Sequence, residues 1–150
     1  MVDVDVDAVA RLRGVIARLS RQLNASATHE GLTPSQASAL GLIAWRGPLS
    51  LTELAELEGL NPTMVSRIVG RLDELELIQR KQNPHDLRAA LVEITPSGQA
   101  INERIRAERG NVVSGCLDRL PAAQRAAIVA ALPGLESLAE ELRTAGTRGD

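Results

Sequence analysis

Three polar residues, each followed by proline, divide this chain into helical segments. They are Thr33-Pro34, Asn61-Pro62 and Thr95-Pro96. A polar side chain caps the first free amides of a helix, and proline suits the next position because its missing N–H would have no partner there. The three pairs therefore predict helices that begin at about residues 34, 62 and 96. Ser50 and Glu53 have the spacing of a capping box and predict a further short helix that ends at Gly59.

The short helix after Ser50 and the helix at 62–75 are close neighbours in the chain. A short turn that contains Gly59 joins them, and the second helix has a polar N-terminal face. Two helices arranged in this way are typical of a helix-turn-helix. The sequence therefore predicts a helix-turn-helix at about residues 51–75.

The apolar periodicity changes after the helix-turn-helix. Residues 77–81 and 90–94 are predicted to be short strands, and residues 83–86 between them are rich in turn formers. A hairpin directly after a helix-turn-helix is a wing, here at about 77–95. Residues 32–96 are thus predicted to form a winged helix-turn-helix region.

Apolar stripes at helical spacing also mark both ends of the chain. Residues 1–28 contain one such helix and residues 97–143 contain two. These stripes are larger than one small winged core can cover, so we predict that both segments are dimerisation helices; the alternative is that they simply pack on the winged region. Residues 144–150 are predicted to be a disordered tail. The predicted fold class is mainly α with a small β wing: a winged helix-turn-helix flanked by N- and C-terminal dimerisation helices.

The composition excludes several classes of function. A chain of 150 residues with 44% hydrophobic residues is globular, it contains no apolar run of the ~18 residues that span a membrane, and its acidic N-terminus is unlike a signal peptide, so we expect a cytoplasmic protein. One cysteine and two histidines give no metal site, and no cofactor motif is present. The sequence also has no nucleophile elbow and no glycine-rich phosphate loop, so we predict no catalytic residues and no enzyme activity.

The distribution of charge favours a local surface for duplex DNA. The net charge is −2, but residues 61–71 contain two arginines and no acid, and residues 79–90 contain three cations against Asp86 alone. A basic surface of this kind attracts the phosphate backbone. Single-stranded nucleic acid is a less suitable partner because the chain has one Trp, no Phe and no Tyr for base stacking.

Taken together, these segments resemble the multiple-antibiotic-resistance regulator (MarR) family of bacterial transcription factors. The matching pieces are Gly-Leu-Thr-Pro-Ser-Gln at 31–36, Leu-Thr-Glu-Leu-Ala at 51–55, Val-Ser-Arg-Ile-Val at 65–69, Asp86-x-Arg88 and Ile94-Thr95-x-x-Gly98. The resemblance implies a homodimer that represses transcription from a pseudo-palindromic operator near its own gene. It also implies release from DNA by a small phenolic or other amphipathic ligand. Two departures are the scarcity of aromatic residues and Pro133-Gly134, where we expect a kink in the last helix.

Nine residues are predicted to form the DNA-binding site. The polar face of the helix at 62–75 would enter the major groove, and the resemblance places the wing Arg in the minor groove with the Asp bracing the loop. The alternative is a solvated polar face and an ordinary hairpin ion pair. The nine candidates are Pro62, Thr63, Ser66, Arg67, Arg71, Arg80, Lys81, Asp86 and Arg88.

Three further interpretations complete the predictions. Cys116 lies on an apolar stripe without a second cysteine, so we expect a small buried hydrophobe and no redox role. Trp45 is expected in the core or in a pocket wall. The effector pocket is expected near the first two helices and residues 101–113, by family analogy. The competing function is a winged-helix module that binds another protein and no duplex DNA.

Overall fold

The computed structural model describes residues 4–25 and 30–147. Its helices and strands follow one another as α1 (Val6–Ala25), α2 (Pro34–Arg46), β1 (Leu49–Ser50), α3 (Leu51–Glu58), α4 (Pro62–Glu74), β2 (Ile78–Asn83), β3 (Asp86–Ile94), α5 (Pro96–Asp118) and α6 (Ala122–Thr147). The chain divides into two compact units, one ending at Arg109 and one beginning at Gly110. The mainly helical fold with a small winged sheet is confirmed.

The predicted helix starts have the expected capping bonds. Thr33 and Ser50 each form a complete capping box, with Gln36 and Glu53 respectively. The Asn61 side chain accepts a hydrogen bond from the Met64 amide at 2.9 Å. Local side-chain chemistry therefore fixes the beginnings of α2, α3 and α4.

The core of the first unit lies between α2, α3, α4 and the sheet. It is entirely aliphatic, and α5 contributes Ile105 to it. The sheet is antiparallel with the order β1-β3-β2, and the two-residue strand β1, which the sequence analysis missed, pairs Leu49 with Val92. The largest fully buried side chains are Leu32, Leu40, Ile43, Leu54, Val65, Val69, Leu72, Ile78 and Val92.

The helix α1 buries none of its residues in this single chain. Its apolar stripe is exposed from Val9 to Leu23, with Leu19 at 56% exposure. The predicted residues 26–28 of this helix lie outside the described residues.

The final helix α6 in the second unit corrects one boundary. It continues as a helix to Thr147, whereas the sequence analysis placed the start of a disordered tail at residue 144. The Thr144 hydroxyl donates to the Glu140 and Glu141 carbonyls, so it satisfies backbone acceptors in the last turns. The same helix runs through Pro133 as a single element.

Candidate nucleic-acid interface

The helix α4 presents the polar face that the sequence predicted. Its apolar residues Val65, Ile68, Val69 and Leu72 are buried, while Pro62, Thr63, Ser66, Arg67 and Arg71 are all exposed. The first turn carries no acid, so the positive end of the helix dipole is not neutralised there. Pro62 has no N–H and the Met64 amide is already bonded to the Asn61 side chain, so the helix dipole, and not a set of free amides, favours an anion such as a phosphate there.

The wing is a hairpin whose outer end is irregular. Gln82 pairs with Ala90 and Asn83 pairs with Asp86, so Leu87, Arg88 and Ala89 have no partners on β2. A bulge of this kind bends a strand and changes the direction of its side chains. The bulge therefore lifts the predicted minor-groove residue Arg88 out of the regular ladder.

Two side-chain to backbone bonds hold the wing tip. The Asp86 carboxylate accepts from the Arg88 amide at 3.0 Å, and the Asn83 side chain accepts from the His85 amide at 3.0 Å. Asn and Asp commonly stabilise turns in this way. Asp86 thus binds the backbone of Arg88, and no ion pair joins their side chains in the part of the chain that the structure describes.

Ion pairs separate the five predicted cations into two groups. Arg71 pairs with Glu74 at 3.3 Å, Arg80 with Asp73 at 3.6 Å and Lys81 with Glu93 at 3.6 Å. The guanidinium groups of the other two, Arg67 and Arg88, have no ion pair or hydrogen bond among the described residues.

The adjacent residues Arg80 and Lys81 lie on opposite faces of β2. Side chains alternate along a strand, and the partners agree with this: Arg80 reaches Asp73 on α4, whereas Lys81 reaches Glu93 on β3. Glu93 is also held by the Gln79 amide group at 2.6 Å. The sequence grouped the two cations together, but the sheet directs them to different surroundings.

Two hydrogen bonds and a close backbone contact hold the junction between the wing and α5. The Thr95 hydroxyl donates to the Glu76 carbonyl at 2.7 Å and accepts from the Gly98 amide at 3.1 Å. Gly98 is buried, and a Cβ there would overlap the Leu77 carbonyl. The signal was the Ile94-Thr95-x-x-Gly98 motif, which the sequence analysis used only for its resemblance. Here it fixes the base of the wing.

A cleft of about 370 Å³ lies between α2 and α5. Its wall includes Trp45, so the prediction of a pocket wall is confirmed; the alternative, a core position, is wrong because the ring is 74% exposed. The Arg46 guanidinium covers that ring at 4.7 Å from its centroid. Asn102 is only 5% exposed as a whole residue, but its side-chain nitrogen and oxygen are not among the buried unpaired polar atoms of the described residues, which are Nε and Nη2 of Arg109. The cleft is lined by Gly41, Ala44, Trp45, Gln99, Asn102 and Arg106.

Other chemistry is sparse in the described residues. Residues 4–25 and 30–147 contain no group of three His, Cys, Asp or Glu side chains that could hold a metal ion. The helices in the same ranges include none that is long and apolar enough to cross a membrane. Cys116 is exposed in this single chain, so the expectation of a buried residue is wrong for the isolated subunit. It lies one helical turn from the exposed Val112 and Val113.

The fold and the exposed cationic face define the chain as a winged helix-turn-helix protein. Residues 32–90 match the MarR family model. A putative transcriptional regulatory protein for the hcr operon of Thauera aromatica is 31% identical over 124 residues, which cover 72% of this chain and 74% of that protein. The chain therefore belongs to the MarR family, a family of DNA-binding transcriptional regulators and not of enzymes.

Solved structures share the fold. RV1404 from Mycobacterium tuberculosis is 26% identical with a TM-score of 0.72, and the match covers 91% of this chain and 96% of that chain. A MepR variant from S. aureus, bound to an oligodeoxyribonucleotide, is 19% identical with a TM-score of 0.60, over 86% of this chain and 96% of that chain. The second match, at that identity, concerns the fold alone.

Proposed function

We propose that this protein is a homodimeric repressor that binds a pseudo-palindromic operator near its own gene. The observation that carries the proposal is the pair of unpartnered guanidinium groups, Arg67 on α4 and Arg88 on the wing bulge. A major-groove helix with a free Arg can bond guanine in a bidentate manner, and a wing Arg suits a narrow A·T-rich minor groove. Thr63 and Ser66 on the same helix face would add contacts to base edges and phosphates.

The apolar surface supports the homodimer. The stripe on α1 is exposed along its length, and α5 and α6 carry further exposed apolar residues of their own. An apolar stripe that stays exposed along a whole helix, as on α1, is typical of an association surface. A two-fold dimer would place two copies of α4 about 34 Å apart, as successive major grooves require. The exposed apolar residues beyond α1 are Val112, Val113, Ile128, Val129, Leu132, Leu135 and Leu142.

The α2–α5 cleft is the proposed effector site. Asn102 lines this cleft, and its side-chain amide would bond a ligand with a hydroxyl or carboxyl group. Arg106 would pair with a carboxylate, and the Trp45 ring would contact a phenolic ring. Release of DNA then requires that the ligand bind more tightly to the conformation that does not fit the operator.

Binding of the protein to its own upstream duplex, measured by fluorescence anisotropy over a salt series, tests the proposal. Arg67→Ala and Arg88→Ala should each weaken operator binding by about 1–3 kcal/mol per subunit, or roughly 5- to 150-fold for each of the two contacts in the dimer. The control is Arg104→Ala, because Arg104 is paired with Glu30 at 3.1 Å and lies outside both the helix-turn-helix and the wing. This control should bind like the wild type.

The other outcomes separate the alternatives. Equal affinity of the wild type for the upstream fragment and for random duplex would refute autoregulation. Absence of binding to any duplex would favour the winged-helix module that binds another protein. A screen of phenolic carboxylic acids against the protein–DNA complex tests the effector site, with release of DNA as the first signal and Trp45 fluorescence as the second. Trp45 is the only Trp in the chain, so release of DNA without a change in its fluorescence would place the ligand elsewhere.

A further inference from the structure

We infer that three carboxylates, those of Asp73, Glu74 and Glu93, restrain the sequence-independent attraction of this protein to DNA. Each is paired with a cation that the sequence analysis placed in the DNA-binding site, namely Arg80, Arg71 and Lys81 respectively. The inference rests on the proposed DNA-binding function and concerns how that binding is made selective. We call these three residues the masking carboxylates.

Two of the three pairs contribute little to folding; in the third, Lys81 is 58% exposed, whereas Glu93 is 27% exposed and is also bonded to Gln79. In the Arg80–Asp73 pair the side chains are 48% and 44% exposed, and in the Arg71–Glu74 pair they are 50% and 70% exposed. Exposed pairs of this kind contribute little or nothing measurable to stability because water and salt screen them. What the three pairs share is their location, since Asp73 and Glu74 lie at the end of α4 and Glu93 lies on β3 at the base of the wing.

The two unpaired cations differ from the three masked ones in what they can contact. Arg67 lies on the outward face of α4 and Arg88 on the wing bulge, where side chains reach into grooves. Arg71 is further along α4, and Arg80 and Lys81 are on the strand β2, where they would meet phosphates. Phosphate contacts carry no sequence information, whereas groove contacts do.

When a masking carboxylate pairs with a cation that would contact phosphate, it therefore weakens binding to every duplex without weakening the groove contacts. A phosphate that approaches Arg80 must displace the Asp73 carboxylate or stay close to its negative charge. Either event removes part of the gain from counterion release, which otherwise steepens the salt dependence by ~0.9 for each neutralised phosphate. The masking carboxylates thereby leave Arg67 and Arg88 as the dominant cationic contacts.

The test compares Asp73→Asn, Glu74→Gln and Glu93→Gln with the wild type on random duplex between 50 and 200 mM salt. In a dimer each substitution acts twice, so the log–log slope should become steeper by up to ~1.8, and the fourfold salt change should then alter affinity by up to about 12-fold more than in the wild type. The matched control is Glu30→Gln, which changes the net charge equally and breaks the Arg104–Glu30 pair away from α4 and the wing. A thermal melt of each variant verifies folding.

The outcomes separate this inference from the proposed function. Tighter and more salt-dependent random binding by the three variants, but not by Glu30→Gln, supports the masking role. If the wild type binds its operator and the variants bind random duplex like the control, the inference is wrong while the proposed function stands. Weaker binding by the variants also overturns it, because the carboxylates would then position the cations. Failure of the wild type to bind any duplex refutes the function itself.

Discussion

Replacing Gly98 by alanine tests how the wing is fixed to α5. Gly98 is the third residue of the helix after its Thr95 cap, and it lies against the turn that leads into β2. An added Cβ would overlap the Leu77 carbonyl oxygen, and it would lie 2.8 Å from Ile94 Cγ1 and 2.9 Å from the Leu77 carbonyl carbon. Two of these three atoms are backbone, so a side-chain rotation cannot relieve the overlap.

The expected cost follows from three contributions. Forcing extra volume into a packed site costs about 1–3 kcal/mol. The same Leu77 carbonyl accepts the Thr95 amide at 3.1 Å, and losing that hydrogen bond costs a further 0.5–1.5 kcal/mol or so. The helix preference of alanine over glycine returns at most about 1 kcal/mol. We therefore expect a net loss of about 2 kcal/mol, which lowers Tm by roughly 4–8 °C in a domain of this size.

Thermal unfolding followed by circular dichroism measures this loss, with Gly70→Ala as the control. Gly70 is inside α4, and an added Cβ would have no neighbouring atom within 4 Å. Gly70→Ala should raise stability by about 0.5–1 kcal/mol because alanine loses less backbone entropy on folding. If Gly98→Ala were as stable as Gly70→Ala, the close approach at the wing base would not constrain this protein, and the argument would fail.

Two more substitutions test the electrostatics and the assembly. Burial raises the pKa of the Glu58 carboxyl above its ordinary value of 4.5, and a hydrogen bond from Ser38 opposes the shift. The folded state thus favours the protonated acid. The stability that protonation contributes is lost as the pH rises through the raised pKa. Glu58→Gln also removes a negative charge from the C-terminus of α3. It should raise the free energy of unfolding by about 0.3–1 kcal/mol at neutral pH and leave it unchanged below pH 4.5. A gain that urea titrations show to be independent of pH would contradict the ionised carboxylate as its cause. Leu19→Glu on the exposed α1 stripe should shift sedimentation from dimer to monomer while the wing and helix-turn-helix keep their circular dichroism; an unchanged sedimentation coefficient would exclude α1 from the interface.

The parts of this fold that the sequence predicts are those that depend on local chemistry. A cap such as Asn61 acts on an amide three residues away, so its hydrogen bond to Met64 is encoded within one short segment. The buried stripe of α4 is equally local, since the spacing from Val65 to Leu72 determines which side of the helix is apolar. Exposure of the opposite face, with Arg67, follows without any knowledge of the tertiary structure.

The ion pairs of the candidate site could not be predicted in the same way. Arg80 is adjacent to Lys81 in the chain, but its carboxylate partner is Asp73 on the preceding helix, and Lys81 turns to Glu93 on β3. These pairings depend on the register of β2 against β3 and on how α4 meets the sheet. Because both are long-range, the counts of cations and acids along the chain predicted a basic surface, whereas among the described residues three of the five predicted cations are in ion pairs and the guanidinium groups of Arg67 and Arg88 are not.

The helix α5 is the element through which the proposed effector site and the proposed assembly would communicate. Its first turns hold the wing base at Gly98, and Asn102 opens to the cleft one turn later. Its last turns carry Val112 and Val113, which are exposed in the single chain. A ligand in the cleft therefore touches the same helix that fixes the wing and bears the apolar residues proposed for the dimer. In the proposed dimer, a ligand that changes the spacing of the two copies of α4 needs only to favour a different placement of α5, and its effect on DNA affinity cannot exceed its difference in affinity for the two placements.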